Sequence, residues 1–194
     1  MSFTAYDPIL GVVKLTDVDI VGPGPLNLVN GTGAGRQSFT FEMIRGNDAN
    51  LGGGEFVYAQ AGATLTAGAV VQFNQSQNSA NQMVNSANPW AGTANSGDVL
   101  GVALVAMTSG QWGWFQISGN AIVNISGSPA VGNPVYWQAA GVVSATAVAG
   151  KQMIGGKFAT ASAPTLGSGA SAVTLASTQA ILLLDRPNAQ TQIT

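Results

Sequence analysis

The sequence predicts an all-β fold, a small β-barrel or sandwich of about 8–10 short strands with an extended N-terminal arm and little helix. Three observations carry this reading. From Glu55 onward, short runs of apolar, β-branched and aromatic residues recur, each bounded by Gly, Asn, Ser or Pro. No segment sustains the 3.6-residue apolar period of a long helix. Glycine is abundant, at 26 of 194 residues, which supplies the turns that many short strands need.

Residues 1–54 read as an arm and residues 55–194 as a β-barrel domain. Pro8, Pro23 and Pro25 interrupt the arm, and glycines recur from Gly22 to Gly54. Gly31-Thr32-Gly33-Ala34-Gly35 and Gly52-Gly53-Gly54 read as flexible loops. Between them, Ser38–Ile44 alternates enough to form a short strand. Such an arm has little core of its own, so it wraps onto the body or docks on a partner. In the body, strands are expected at Phe56–Ala59, Val70–Asn74, Val99–Met107, Gln111–Ile117, Ala121–Ile125, Pro134–Gln138, Val142–Ala145, Met153–Ala159 and Ala180–Leu184. Ser118-Gly119-Asn120 has hairpin-turn composition. Gln75–Asn95 reads as a polar loop, with room for a short helix around Ser79–Val84.

An internal repeat is visible. Gly68-Ala69-Val70-Val71-Gln72-Phe73 resembles Gly132-Asn133-Pro134-Val135-Tyr136-Trp137, and Val99–Leu104 resembles Met153–Phe158. A strand beginning at Gln follows each copy, Gln111 in the first and Gln179 in the second. The offsets are 132 − 68 = 64 and 155 − 101 = 54, so loop lengths differ. Two such units can pair into one barrel. Glycine-rich β sequences also produce such matches by chance, and both readings stand at this point.

Composition narrows the function. Charged residues make up 7% of the chain, against roughly 25% in an ordinary domain. The surface is therefore polar but nearly uncharged, which suits a protein packed in an assembly. The net charge is −2, and the six Lys and Arg are scattered. Phosphate neutralisation needs clustered cations, so no direct nucleic-acid contact is expected. The first residues lack a basic and then apolar leader, and no run reaches about 18 apolar residues. Neither a signal peptide nor a membrane span is expected.

The chain has no Cys and no His. This removes thiol nucleophiles, disulfides, the usual zinc sites and His-based acid/base chemistry. Gly35-Arg36-Gln37-Ser38 fails as a phosphate loop: Asn30 stands where the first Gly belongs, Arg36 where Lys belongs and Gln37 where Ser or Thr belongs. Glu42, Glu55 and Asp98 are the candidates for a carboxylate pair, and none sits among aromatics as a sugar cleft requires. Asp17 and Asp19 match no calcium loop. No Ser-x-x-Lys occurs. No catalytic residue, metal or cofactor is expected.

The aromatics carry the surface hypothesis. Trp112 and Trp114 share one face of a strand, with Phe115 on the other. Core packing explains them, and so does a subunit interface, where Trp and Tyr are enriched. Phe39, Phe41, Trp90, Trp112, Trp114 and Trp137 are the candidate interface residues. A carbohydrate-stacking platform is a third use for them.

The stretches Gly97–Leu104, Gly110–Gly119, Val131–Trp137, Gly141-Val142-Val143 and Ile154-Gly155 together resemble the capsid cement, or head decoration, proteins of tailed bacteriophages. The resemblance covers residues 55–185. Asn133 stands where Asp is frequent, Trp137 is bulkier than usual, and Gln75–Asn95 and Ala161–Ser177 look like insertions. It implies a β-barrel decoration domain that binds the outside of an icosahedral head, commonly as a homotrimer. Such proteins bridge major capsid protein subunits and resist the pressure of packaged DNA. The place of action implied is the virion surface, after assembly in the host cytoplasm. The family has no catalytic residues to carry over. The alternative is a head-fibre or tail component that binds a host receptor or glycan, which requires an exposed cleft at Trp90, Trp112 or Trp137. A polysaccharide hydrolase is the weakest reading.

Overall fold

The computed structural model describes residues 4–7, 11–15, 43–77, 83–169 and 172–191. These residues form strands and turns with no α-helix. The order is β1 (Thr4–Asp7), β2 (Gly11–Lys14), β3 (Met43–Asp48), β4 (Gly52–Ala61), β5 (Val70–Gln77), β6 (Met83–Pro89), β7 (Leu100–Ala103), β8 (Trp112–Asn124), β9 (Pro134–Ala139), β10 (Val142–Ser144), β11 (Gln152–Phe158), β12 (Thr165–Leu166), β13 (Val173–Thr174) and β14 (Gln179–Ala189). All but β12 and β13 share one hydrogen-bonded sheet.

That sheet closes on itself. Strand β8 pairs with β7, β7 with β5, and β5 with β6, all antiparallel. Strand β6 runs parallel to β4, and β4 returns antiparallel to β8. The five strands form a ring, which removes free edges. Side chains alternate across each strand, and the inward set is Val57, Ala59, Ala61, Val71, Phe73, Ala87, Ala103, Phe115 and Ile117. Phe73 and Phe115 meet edge to face at its centre, with centroids 5.6 Å apart.

A second ring follows from the same long strand. The C-terminal half of β8 pairs with β14, β14 with β11, β11 with β9, and β9 with β10, all antiparallel. A parallel bridge, Ile125 to Val143, brings β10 back to β8. Its core holds Ala121, Val123, Ile125, Val135, Val143, Met153, Phe158, Ala180, Leu182 and Leu184. Val70, Trp90, Leu100 and Val102 join that core from the first barrel, so the two barrels share apolar packing as well as a strand.

The rings have one topology, with β4, β5, β6, β7 and the first half of β8 matching the second half of β8, β9, β10, β11 and β14. Hydrogen bonds agree in detail. Ala69 N–H donates to Thr66 O at 3.1 Å, as Asn133 N–H does to Ala130 O at 3.1 Å. Gly68 N–H donates to Ala103 O at 2.8 Å, as Gly132 N–H does to Phe158 O at 2.7 Å. Gly62 N–H reaches Ala87 O at the parallel join, as Ser126 N–H reaches Val143 O, both at 2.9 Å. Gln111 and Gln179 each accept on the side chain a backbone N–H from three residues earlier. The repeat read from sequence is therefore structural. Its offset at Phe158 is 158 − 103 = 55, one more than the sequence match at Gly155, because β11 carries an irregularity between Ile154 and Gly156.

A third apolar cluster lies on the outside of β4, β8 and β14. It contains Phe56, Tyr58, Trp112, Trp114 and Ile181, covered by Leu15 and Leu51 from the N-terminal side and Leu175 from the excursion between β11 and β14. Within the nominal arm, Leu15, Ile44 and Leu51 thus wrap onto the body.

Several sequence expectations change. Ser118-Gly119-Asn120 does not turn the chain: β8 runs through it unbroken. At this point β8 passes from β4, which pairs as far as Gly119, to β14, which pairs from Ser118. Gly119 pairs with both Gly54 and Leu184 and lets the Gly53 backbone approach closely, an alternative use of Gly within a strand, while the bulge falls just before it at Ile117. Gly52–Gly54, read as loop, is strand, and β3 pairs with β4 across the boundary drawn at 54/55. The polar segment 75–95 is largely a ribbon, with β5 paired to β6 from Val71–Pro89 to Gln77–Met83. Met83 and Val84 are strand rather than helix, while residues 78–82 lie outside the described residues. The Ala161–Ser177 insertion holds the small β12–β13 hairpin. The expected strand at Ser38–Ile44 begins at Met43 in the structure, and residues 38–42 lie outside the described residues.

Candidate functional surface

The described acids lie apart or in ion pairs. Among the described residues no three Asp or Glu side chains gather. Glu55 is held by two guanidinium groups, with Arg45 at 3.3 Å and Arg186 at 3.0 Å. This clamp ties β3, β4 and β14 together. Asp48 accepts the backbone N–H groups of Asn50 and Leu51 and so shapes the β3–β4 turn. The backbone of Asp98 bridges to Ala189, whose N–H donates to Asp98 O at 2.8 Å. Glu42, Asp17 and Asp19 lie outside the described residues.

The Glu55 clamp is mainly positional. The arginine side chains are 86% and 61% exposed, against 18% for Glu55, so solvent screens most of the attraction. Glu55→Gln is expected to cost under about 1 kcal/mol, lowering the thermal midpoint by about 2–4 °C or less. Calorimetry at low salt and at about 1 M NaCl checks this, and the difference should shrink at high salt.

The candidate interface aromatics have different fates. Trp90 and Trp114 are fully buried, and Trp112 nearly so. Trp112 stacks on Tyr58 at 5.7 Å and Trp114 tilts against Tyr58 at 5.1 Å. As the alternation implied, both share one face while Phe115 points into the first barrel. Trp137 is half-buried. Its Nε1–H donates to Trp90 O at 2.9 Å, and Lys151 Nζ lies 4.1 Å from its ring centroid. Gly92 packs so close that an added Cβ would fall 2.2 Å from the ring. Trp90, Trp112 and Trp114 therefore spend their area inside this chain, and Trp137 alone of the four tryptophans keeps a partly exposed ring. Phe39 and Phe41 lie outside the described residues.

Apolar exposure occurs elsewhere, at Met43, Val99, Val131, Ile154, Val173 and Leu183. None of these stood out in the sequence, because single aliphatic residues in strands carry no surface signal. The repeat alignment is the one clue that bears on them, since it places Ile154 where the first copy has Leu100.

No family model, curated protein or solved structure matches the chain.

Proposed function

We propose that this is a non-enzymatic structural protein that decorates the outer surface of a tailed-phage capsid. It would bridge major capsid protein subunits as a homotrimer and stabilise the shell against internal pressure. The observation that carries the reading is the ordered set of strand motifs from Gly97 to Gly155. These occupy consecutive elements, β7 to β11, of a duplicated barrel whose acids are scattered or ion-paired. A near-neutral surface suits dense packing of copies on a shell, because neighbours repel weakly. Many shallow contacts made at once give firm retention. Of the tryptophans the glycan-binding alternative could use, Trp90 and Trp112 are buried and Trp137 is half-buried.

The test is co-sedimentation of the purified protein with expanded phage heads that lack it, at about 1–10 μM protein. Saturable binding and heads that survive a higher temperature are expected. Heads that pellet without the protein at these concentrations would remove the proposal.

A further inference from the structure

The two barrels are alike in topology but not in what covers them. In the first barrel, Val70 on β5, Leu100 and Val102 on β7, and Gln116 on β8 are all buried to within about a hundredth of their surface. The three apolar residues belong to the second barrel's core cluster. Backbone hydrogen bonds reinforce the contact: Val70 N–H donates to Gly141 O at 2.9 Å, and Asn124 N–H to Gly68 O at 2.8 Å. The Asn124 side-chain amide donates to Ala67 O at 2.9 Å.

The matching positions on the second barrel have no such cover. By pairing across the sheet Leu100 corresponds to Gln152, with Ile154 in the irregular stretch that follows it; Val70 corresponds to Pro134, Val102 to Lys157 and Gln116 to Leu183. The register fixes the last two matches, because Val102 pairs with Gln116 as Lys157 pairs with Leu183. Residues 154–156 form the irregular stretch of β11, between the pairs Met153–Val135 and Lys157–Pro134. Ile154 is 44% exposed and Leu183 40% exposed, and Pro134 and Lys157 are exposed as well. Pro134, Lys157 and Leu183 lie side by side across β9, β11 and β14. Val131, in the turn leading into β9, is 70% exposed. Its match is Ala67, whose carbonyl accepts the Asn124 contact.

In arrays of repeated units, the face that one repeat buries on the next is left open on the last unless polar residues cap it. Here the last unit presents Val131, Ile154 and Leu183, with Lys157 the one charge among these positions. We infer that the outer face of β9, β11 and β14 is a self-association surface that takes a barrel of a second copy of this chain. It continues between chains the contact that the first barrel makes with the second inside one chain. Such a contact uses different surfaces on the two copies and closes into a ring when its rotation permits. The inference does not rest on capsid binding, and its test contains no shell.

The test is sedimentation velocity with light scattering on the full chain, from about 5 to about 100 μM. The wild type is expected to form a concentration-dependent multimer. The double variant Ile154→Glu with Leu183→Glu, and separately Val131→Glu, should weaken association by about tenfold or more. Met43→Glu and Val173→Glu, exposed apolar positions outside this face, should leave it unchanged. Near-UV circular dichroism verifies the fold of each variant, and Val131→Glu decides alone if the double variant does not fold. A wild type that stays monomeric throughout, or a multimer indifferent to the face variants, or one dissociated equally by the two control variants, overturns the inference.

Discussion

Replacing Trp114 with alanine is expected to cost about 3–5 kcal/mol, the usual loss for deleting a buried Trp side chain. Domains of this kind are stable by only about 5–15 kcal/mol, so the variant should lose a large share of its stability. Trp114 is the hub of the outer cluster: it packs with Tyr58 and lies among Phe56, Leu15, Leu51, Leu175 and Ile181. Its removal leaves a cavity between β8 and the segments that cover it. Trp114→Phe should behave differently. The indole Nε1 is buried with no hydrogen-bond partner among the described residues, and an unmet donor itself carries a penalty of about 1–3 kcal/mol. Phenylalanine gives up some volume but removes that donor, so a loss below about 1.5 kcal/mol is expected. Urea unfolding of the three proteins measures this. Equal losses for the alanine and phenylalanine variants would show that the aromatic bulk retained by phenylalanine does not hold the cluster.

The second large effect is expected at Gly119. Its φ is +88°, and an added Cβ would lie 2.2 Å from Gly53 O and 3.0 Å from Gly54 Cα. Both atoms are backbone, so no rotamer change can clear them. Gly119→Ala must therefore push β4 away from β8 at the point where β8 passes to β14. Gly132→Ala is the natural control, because Gly132 has φ +83° and open space around it. The control carries only the left-handed backbone penalty, about 1–2 kcal/mol. Gly119→Ala should exceed it by at least about 2 kcal/mol. If the two variants unfold at the same urea concentration, the close approach of Gly53 is not a constraint on the fold.

These two positions show how much of the molecule the sequence exposes. The alternation around Trp112, Trp114 and Phe115 was enough to assign opposite faces, because strand geometry fixes that locally. It could not say what lay against either face. The Trp112–Trp114 face is sealed by Leu15 and Leu175, which are distant in sequence and carry no periodic signal. Gly119 had the composition of a turn and became an in-register strand residue, because its partners on both sides are strands that only the closed rings bring there. Asn and Ser in the 75–95 segment read as loop, yet β5 and β6 pair through it, since ladder hydrogen bonds do not depend on side-chain polarity.

The candidate surface divides in the same way. The absence of His and Cys, and the low charge, were properties of the sequence alone. They bound the chemistry of the chain whatever its fold. The tryptophans were ambiguous between core and interface, because burial is a property of the assembled layers. Exposed apolar positions such as Ile154 and Leu183 are spelled like core residues and became visible as surface only when the second barrel was found to lack the neighbour that covers the first.

The sequence by itself determined an all-β chain with a repeated strand order, because strand period, turn residues and the recurrence of Gly68–Phe73 at Gly132–Trp137 are local features. Only the tertiary structure decided that the repeat makes two five-stranded rings on one shared strand, that the first is covered by the second, and that the second keeps an open face. Those outcomes depend on pairings between residues far apart in the chain, such as Ile125 with Val143 and Val102 with Gln116, and no local pattern encodes which distant strand completes a ring.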